Sequence, residues 1–222
     1  MTEATNSVPS GDVVSLTYGG KTIELPVLRG TEGAPAIDLS SLTKQTGLTA
    51  LDYGFVNTAS TKSKITYIDG EQGILRYRGY PIDQVATNLS FLETAYLLIH
   101  GEVPTQVERE NFEENIRMHT LLHEDLKDFF SGFPRRAHPM PVLSAGVSAL
   151  STYYEDSLDP NNAEQVETST YRLLAKLPVM AAYAHKKSIG QARLYPDNSL
   201  SYVENFLRLT FGNKAEPYVQ NP

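Results

Sequence analysis

The stretch AEQVETSTYRLLAKLPVMAAYAHKK, from Ala163 to Lys187, decides the architecture. Val166, Thr170, Leu173, Leu174, Leu177, Met180, Ala181 and Ala184 recur at three- and four-residue steps, the spacing of one helix face. Pro178 lies inside this run; it brings no N–H, so a kink is expected there. Helical signals continue on both sides. Downstream, Ser201 and Glu204 have the spacing of a capping box, with Val203, Phe206 and Leu207 expected inward and Gly212 as the stop. Upstream, Met140, Leu143, Val147, Leu150 and Tyr154 predict one buried stripe. Thr105 with Glu108, and Ser90 with Glu93, repeat the capping device, and Gly101 closes the earlier helix.

Before Pro81 the pattern changes from helix to strand. Val13–Tyr18 and Lys21–Val27 alternate on either side of Gly19-Gly20, which predicts a tight hairpin. A short helix is expected from Asp38, as its cap, to Gly47. Lys64–Ile68 and Ile74–Arg78 flank Asp69-Gly70-Glu71-Gln72-Gly73 as a second hairpin. Residues 1–12 read as a disordered tail, 13–80 as a β-hairpin region with one short helix, and 81–222 as a helical region. The fold class is therefore mainly α with short β-hairpins near the N-terminus. Lys214–Pro222 is a polar loop that reads as chain expected to continue.

Composition narrows the function classes. The chain has 222 residues, 26 acidic against 19 basic side chains and a net charge of -7. Its Lys and Arg are scattered, which argues against a nucleic-acid or anionic-membrane surface. Cys is absent, which excludes a disulfide scaffold, a thiolate metal site and a Cys nucleophile. No apolar stretch approaches the length needed to span a bilayer, and Met1–Asp12 has no signal-peptide pattern. A cytoplasmic protein is the expectation.

The chemistry-bearing residues, taken singly, point to structural roles. Gly20-Lys21-Thr22 resembles the end of a phosphate-binding loop, but Ser15 stands where that motif needs Gly, and a strand follows instead of a helix. His119 and His123 have metal-ligand spacing, yet Thr120 occupies the position of the zinc-protease Glu. His138 precedes Pro139 and Pro141, which suit a first helical turn. His100 and His185 stand alone near expected helix ends. Asp69-Gly70-Glu71 reads as a turn, and Arg76, Arg78, Arg135 and Arg136 are scattered anion-binding candidates. No metal site is expected.

Longer strings carry more. Ser63–Gly70 (SKITYIDG) and Gly73–Ile82 (GILRYRGYPI), then His138-Pro139-Met140, then Ser188–Gln191, Tyr195–Leu200 and Glu204–Leu207, occur in order along the chain. Together they resemble the N-terminal part of the citrate synthase family, in its actinobacterial type. The resemblance implies a mainly helical large domain, of which this chain is the N-terminal portion. It implies condensation of acetyl-CoA with oxaloacetate to citrate and CoA, and helices that pack across a two-fold homodimer. In the family a catalytic Asp deprotonates the acetyl methyl group, one His donates a hydrogen bond to the thioester oxygen of the enol, and a second His protonates the oxaloacetate carbonyl as the carbon–carbon bond forms. None of those three residues maps onto this chain, so no catalytic residue is assigned in it. Acetyl-CoA is implied as cosubstrate, with no covalently bound cofactor.

Some bacterial members bind NADH at an inhibitory site in this half. The matching positions are His119, Thr120, Tyr154, Arg172 and Lys176, while Met118 stands where the pattern has a basic residue. The resemblance therefore implies a vestigial regulatory nucleotide site with poor or absent NADH inhibition. Two other functions fit the same strings: a 2-methylcitrate synthase using propionyl-CoA, and a non-catalytic dimerisation module derived from the family.

Overall fold

The computed structural model describes residues 9–219. Most of the expected tail, residues 1–8, lies outside them. Pro9–Asp12 do not belong to a tail, because the first strand begins at Pro9. The chain divides into two compact units, one reaching Leu89 and one starting at Ser90.

In the first unit, β1 (Pro9–Tyr18), β2 (Lys21–Leu28) and β3 (Ala36–Ile37) form an antiparallel sheet in that order. The expected hairpin is present. Gly19 and Gly20 take φ of 58° and 77°, which L side chains resist and a two-residue turn requires. Ile23, Leu25 and Leu42 are the buried residues of a small core, with Leu16 packed against them. The helix expected from Asp38 is shorter: α1 runs Leu42–Thr46 and ends at Gly47 in the left-handed region. Asp38 instead accepts the N–H of Ser40 at 2.9 Å, so its carboxylate closes a local turn ahead of the helix.

The second hairpin consists of β4 (Thr66–Asp69) and β5 (Ile74–Tyr77), and the two-residue β6 (Tyr80–Pro81) adds a third strand. Asp69 accepts from the N–H groups of Glu71 and Gln72, and the residue with positive φ in this turn is Gly73, not Gly70. α2 (Ile82–Asn88) packs against β5 and β6, so it belongs with the strands.

The second unit is helical: α3 (Phe91–His100), α4 (Gln106–Arg117), α5 (Glu124–Ser131), α6 (Pro139–Leu150), α7 (Ala163–Ile189) and α8 (Tyr202–Phe211). α3, α4 and α8 open on complete capping boxes, Ser90–Glu93, Thr105–Glu108 and Ser201–Glu204. Each satisfies two of the N–H groups that a helix start leaves orphaned. α7 is the hub. It packs against α4, α5, α6 and α8, and the larger core gathers Leu126, Phe130, Val142, Met180, Tyr183 and Leu209 around it.

The buried faces are phased differently from the expected stripes. On α6 the buried line is Val142, Gly146 and Leu150; Met140 is exposed, while Leu143, Val147 and Tyr154 flank the core. At Gly146 an added Cβ would lie 2.8 Å from Phe130 Cζ and 3.2 Å from Met180 Sδ, so this position carries no side chain because α7 and α5 occupy the space. On α7, Val166 and Leu173 are exposed and burial concentrates between Ala175 and Lys186. On α8 the buried residues are Asn205, Leu209 and Thr210, with Val203 outward.

α7 continues through Pro178. Proline has no N–H, so the carbonyl of Leu174, four residues earlier, loses its helix donor. The Tyr202 hydroxyl from α8 donates to that carbonyl at 2.9 Å. The proline thus frees an acceptor that ties α8 to the hub.

Candidate functional site

The five positions singled out by the resemblance converge beside α7. Arg172 and Lys176 lie one turn apart on that helix and both reach the Tyr154 ring. The Arg172 Cζ is 4.5 Å and the Lys176 Nζ 4.9 Å from its centroid, a double cation–π arrangement. His119 and Thr120 come from the segment between α4 and α5. Lys176 donates to the carbonyl oxygens of His119 and Leu121 at 2.5 Å each, so its ammonium pins that segment to α7. The Thr120 hydroxyl lies 2.9 Å from Asn198 Oδ1 and 3.1 Å from the Arg117 carbonyl, and its single proton serves one acceptor at a time. His119 Nδ1 lies 2.7 Å from the Asn115 carbonyl.

The cations are already committed. Arg172 grips Asp156 through two parallel bonds, 2.6 Å from Nη1 to Oδ1 and 2.9 Å from Nη2 to Oδ2. It also donates to Ser157 Oγ at 2.7 Å. This fork is the geometry with which arginine holds a carboxylate or phosphate. Its Nε is buried without a partner among the described residues. The Arg172 hydrogen bond holds the Asp156 carboxyl below its ordinary value, and the same bond raises Arg172. Lys176 is pushed down to about 8, first by burial and then by the Arg172 charge. Burial likewise raises Tyr154, partly opposed by Arg172.

Asp156, Ser157 and Asn198 are the members that reasoning from single residues missed. Asp156 and Ser157 lie just before α7, sixteen and fifteen residues ahead of Arg172, in a single 3₁₀ turn (Glu155–Ser157). Only an acidic residue close after Tyr154 offered a signal.

The other candidates are dispersed. His119 and His123 do not share a helix: His119 follows α4, and His123 caps α5 by accepting the Asp125 N–H at 3.3 Å. His138 caps α6 in the same way, with Pro139 in the first turn. His100 packs on Tyr96 and His185 on Phe211. Arg76 pairs with Glu32 at 3.1 Å. The Arg135 guanidinium covers the left-handed Gly190 that ends α7. Gly20-Lys21-Thr22 lies in the β1–β2 hairpin. Among the described residues no group of three or more His, Asp or Glu side chains could hold a metal ion, and no helix is long and apolar enough to cross a membrane.

Comparison with known proteins sets this geometry in context. The family model for the citrate synthase C-terminal domain matches residues 54–221. Citrate synthase 1 of Mycobacterium tuberculosis is 61% identical over 211 residues, covering 95% of this chain and 49% of the relative. The citrate synthase of Corynebacterium glutamicum is 50% identical over 207 residues, covering 93% and 47%. Among solved structures, the citrate synthase from Pyrobaculum aerophilum superposes with a TM-score of 0.65 at 29% identity, over 93% of this chain and 48% of that one. The Thermoplasma acidophilum enzyme, solved as a ternary complex with carboxymethyl coenzyme A and oxaloacetate, shares the fold with a TM-score of 0.67 at 23% identity, over 75% and 44%. The chain spans about half the length of the curated relatives it matches. On the family match and these identities, the chain belongs to the citrate synthase family.

Proposed function

We propose that the whole protein represented by this chain is a citrate synthase, an acyltransferase that condenses acetyl-CoA with oxaloacetate to citrate and CoA at the entry to the tricarboxylic acid cycle. The observation that carries this reading is 61% identity across 95% of the chain to a protein named citrate synthase 1. Acetyl-CoA acts as cosubstrate, and no bound cofactor or metal takes part. The catalytic Asp and the two His residues lie outside the span of these 222 residues, so the chain alone has no synthase activity. The whole protein is cytoplasmic and works as a homodimer or higher homo-oligomer.

The cluster of His119, Thr120, Tyr154, Arg172 and Lys176 is a vestigial regulatory nucleotide site. What supports this is the occupancy of its cations. Asp156 takes both forks of Arg172, two backbone carbonyls take Lys176, and the exposed Met118 offers no charge. A dinucleotide phosphate must displace a carboxylate tethered to the same chain, which lowers its apparent affinity. NADH therefore binds weakly or not at all.

The test is release of CoA thiol. With no Cys in the chain, a thiol reagent reports only the product of this polypeptide's reaction. Silence from the 222-residue chain, with turnover from the whole protein on acetyl-CoA and oxaloacetate, supports the proposal. Turnover by the chain alone would place catalytic groups within it and overturn that part. Faster turnover with propionyl-CoA would assign the protein as a 2-methylcitrate synthase. A whole protein inactive on both thioesters would identify a non-catalytic module.

A further inference from the structure

We propose that the free edge of β1 pairs antiparallel with β1 of a second copy of this chain, about a two-fold axis at Ser15.

The strand order β1-β2-β3 leaves one side of β1 without a neighbouring strand among the described residues. The turn decides which groups face that side. A two-residue loop makes its flanking residues, Tyr18 and Lys21, exchange backbone hydrogen bonds. Antiparallel ladders alternate, so Leu16 with Ile23 and Val14 with Leu25 are the next bonded pairs. Val13, Ser15 and Thr17 fall between them, and their N–H and C=O groups point to the open side. Two contacts agree with this phase. Val13 stands opposite Pro26, whose carbonyl turns away from β1 to accept the Asp38 N–H at 2.8 Å. Thr17 and Thr22 bring their hydroxyl oxygens within 2.9 Å, the closer side-chain approach of a non-bonded pair.

The edge is unguarded. Proteins commonly blunt such an edge with Lys, with Pro or by keeping the strand short. The opposite edge, β3, has two residues, whereas β1 has ten, with neither Lys nor Pro after Pro9. Its one charge, Asp12, is held by Arg29 at 2.8 Å. Behind it the sheet has only the small core of Ile23, Leu25, Leu42 and Leu16, while Val13, Val14 and Tyr18 are exposed.

The strand also matches itself. With Ser15 opposite Ser15 of the second copy, Val13 meets Thr17 and Val14 meets Leu16, and no like charges meet. Val14 shares a face with Leu16 and Leu25, so this register covers it and joins the two small cores. Two three-stranded sheets become one of six strands, an ordinary size. Any extended segment satisfies the backbone groups; the match of both faces to themselves selects a second copy.

The experiment is cysteine cross-linking. The chain has no Cys, so an introduced thiol reports one position. In Ser15→Cys the two thiols sit on opposed residues, with Cα atoms about 5.5 Å apart and within disulfide reach. In Thr17→Cys they are offset by roughly 13 Å along the strands. Under mild oxidation Ser15→Cys is expected to give at least tenfold more covalent dimer than Thr17→Cys, and a mixture of Val13→Cys with Thr17→Cys to give the crossed dimer. Ser15→Pro removes an N–H that β2 does not use, so it should leave circular dichroism unchanged and lower the crossed dimer at least tenfold. Equal yields from Ser15→Cys and Thr17→Cys, no cross-link at all, or a crossed dimer undiminished by Ser15→Pro overturns the proposal. A Ser15→Cys cross-link seen in the 222-residue chain but lost in the whole protein assigns the edge to a segment of the remaining half, and overturns it as well.

Discussion

Replacing Tyr202 with Phe isolates the link between α7 and α8. The substitution keeps the ring and its 5.3 Å stack on Phe91 and removes only the hydroxyl. Burial pushes that hydroxyl up to about 12, so it is a neutral donor at any ordinary assay pH. Its loss leaves the Leu174 carbonyl with neither the Tyr202 donor at 2.9 Å nor a helix N–H, because Pro178 has none. A net hydrogen bond contributes about 1 kcal/mol, and a stranded half-buried acceptor raises the cost to about 2 kcal/mol. For a chain of this size that lowers Tm by roughly 2–4 °C per kcal/mol. The assay is a double-mutant cycle with Pro178→Ala, read by denaturant or thermal unfolding. Alanine at that position restores the N–H that the helix would have used, so Tyr202→Phe should then cost less than about 0.5 kcal/mol. Equal costs of Tyr202→Phe in the wild-type and Pro178→Ala backgrounds would refute the account of the proline as the origin of the free carbonyl.

Three further outcomes are expected. Burial sets Lys176 at about 8 against an ordinary 10.5. Between those values the unfolded chain holds more protons than the folded one, so stability should climb as pH rises from about 8 to 10.5; in Lys176→Met, urea titrations across that range should lose the climb. Gly146→Ala meets Phe130 and Met180, and overpacking at about 1–3 kcal/mol should outweigh the gain of up to about 1 kcal/mol in helix propensity, lowering the urea midpoint. Ser201→Ala removes the side-chain acceptor for the Glu204 N–H and should cost about 1 kcal/mol, with Ser201→Thr restoring most of it in the same titration.

How much of this was legible in the sequence depended on how local the cause was. The three capping boxes, the Gly19-Gly20 turn and the stop at Gly101 are set by residues a few positions apart, and each lies where its pattern put it. The inward faces of α6, α7 and α8 are out of phase with their apolar spacing. In α7 the cause is tertiary. Ala182, Tyr183 and Ala184 are consecutive and all buried, so the helix is covered nearly all round there and no single stripe marks an inner side. On α6 the middle of the three buried residues is Gly146, which a search for large apolar side chains passes over. Of the candidate site, only the positions that the family resemblance implies could be read. Its electrostatics could not, because the Asp156 carboxylate meets Arg172 only once the 3₁₀ turn folds back on α7.

Lys186 links the end of α7 to the segment after α8. Its side chain is fully buried and its ammonium reaches both Gln191 Oε1, at 2.7 Å, and the carbonyl of Gly212. A charge withdrawn from water needs both acceptors at once. Gly212 follows α8, so the last turns of α7 bury this side chain with both acceptors only when the segment after α8 is docked. Burial of one side chain on the hub and docking of the segment after α8 are therefore coupled in stability.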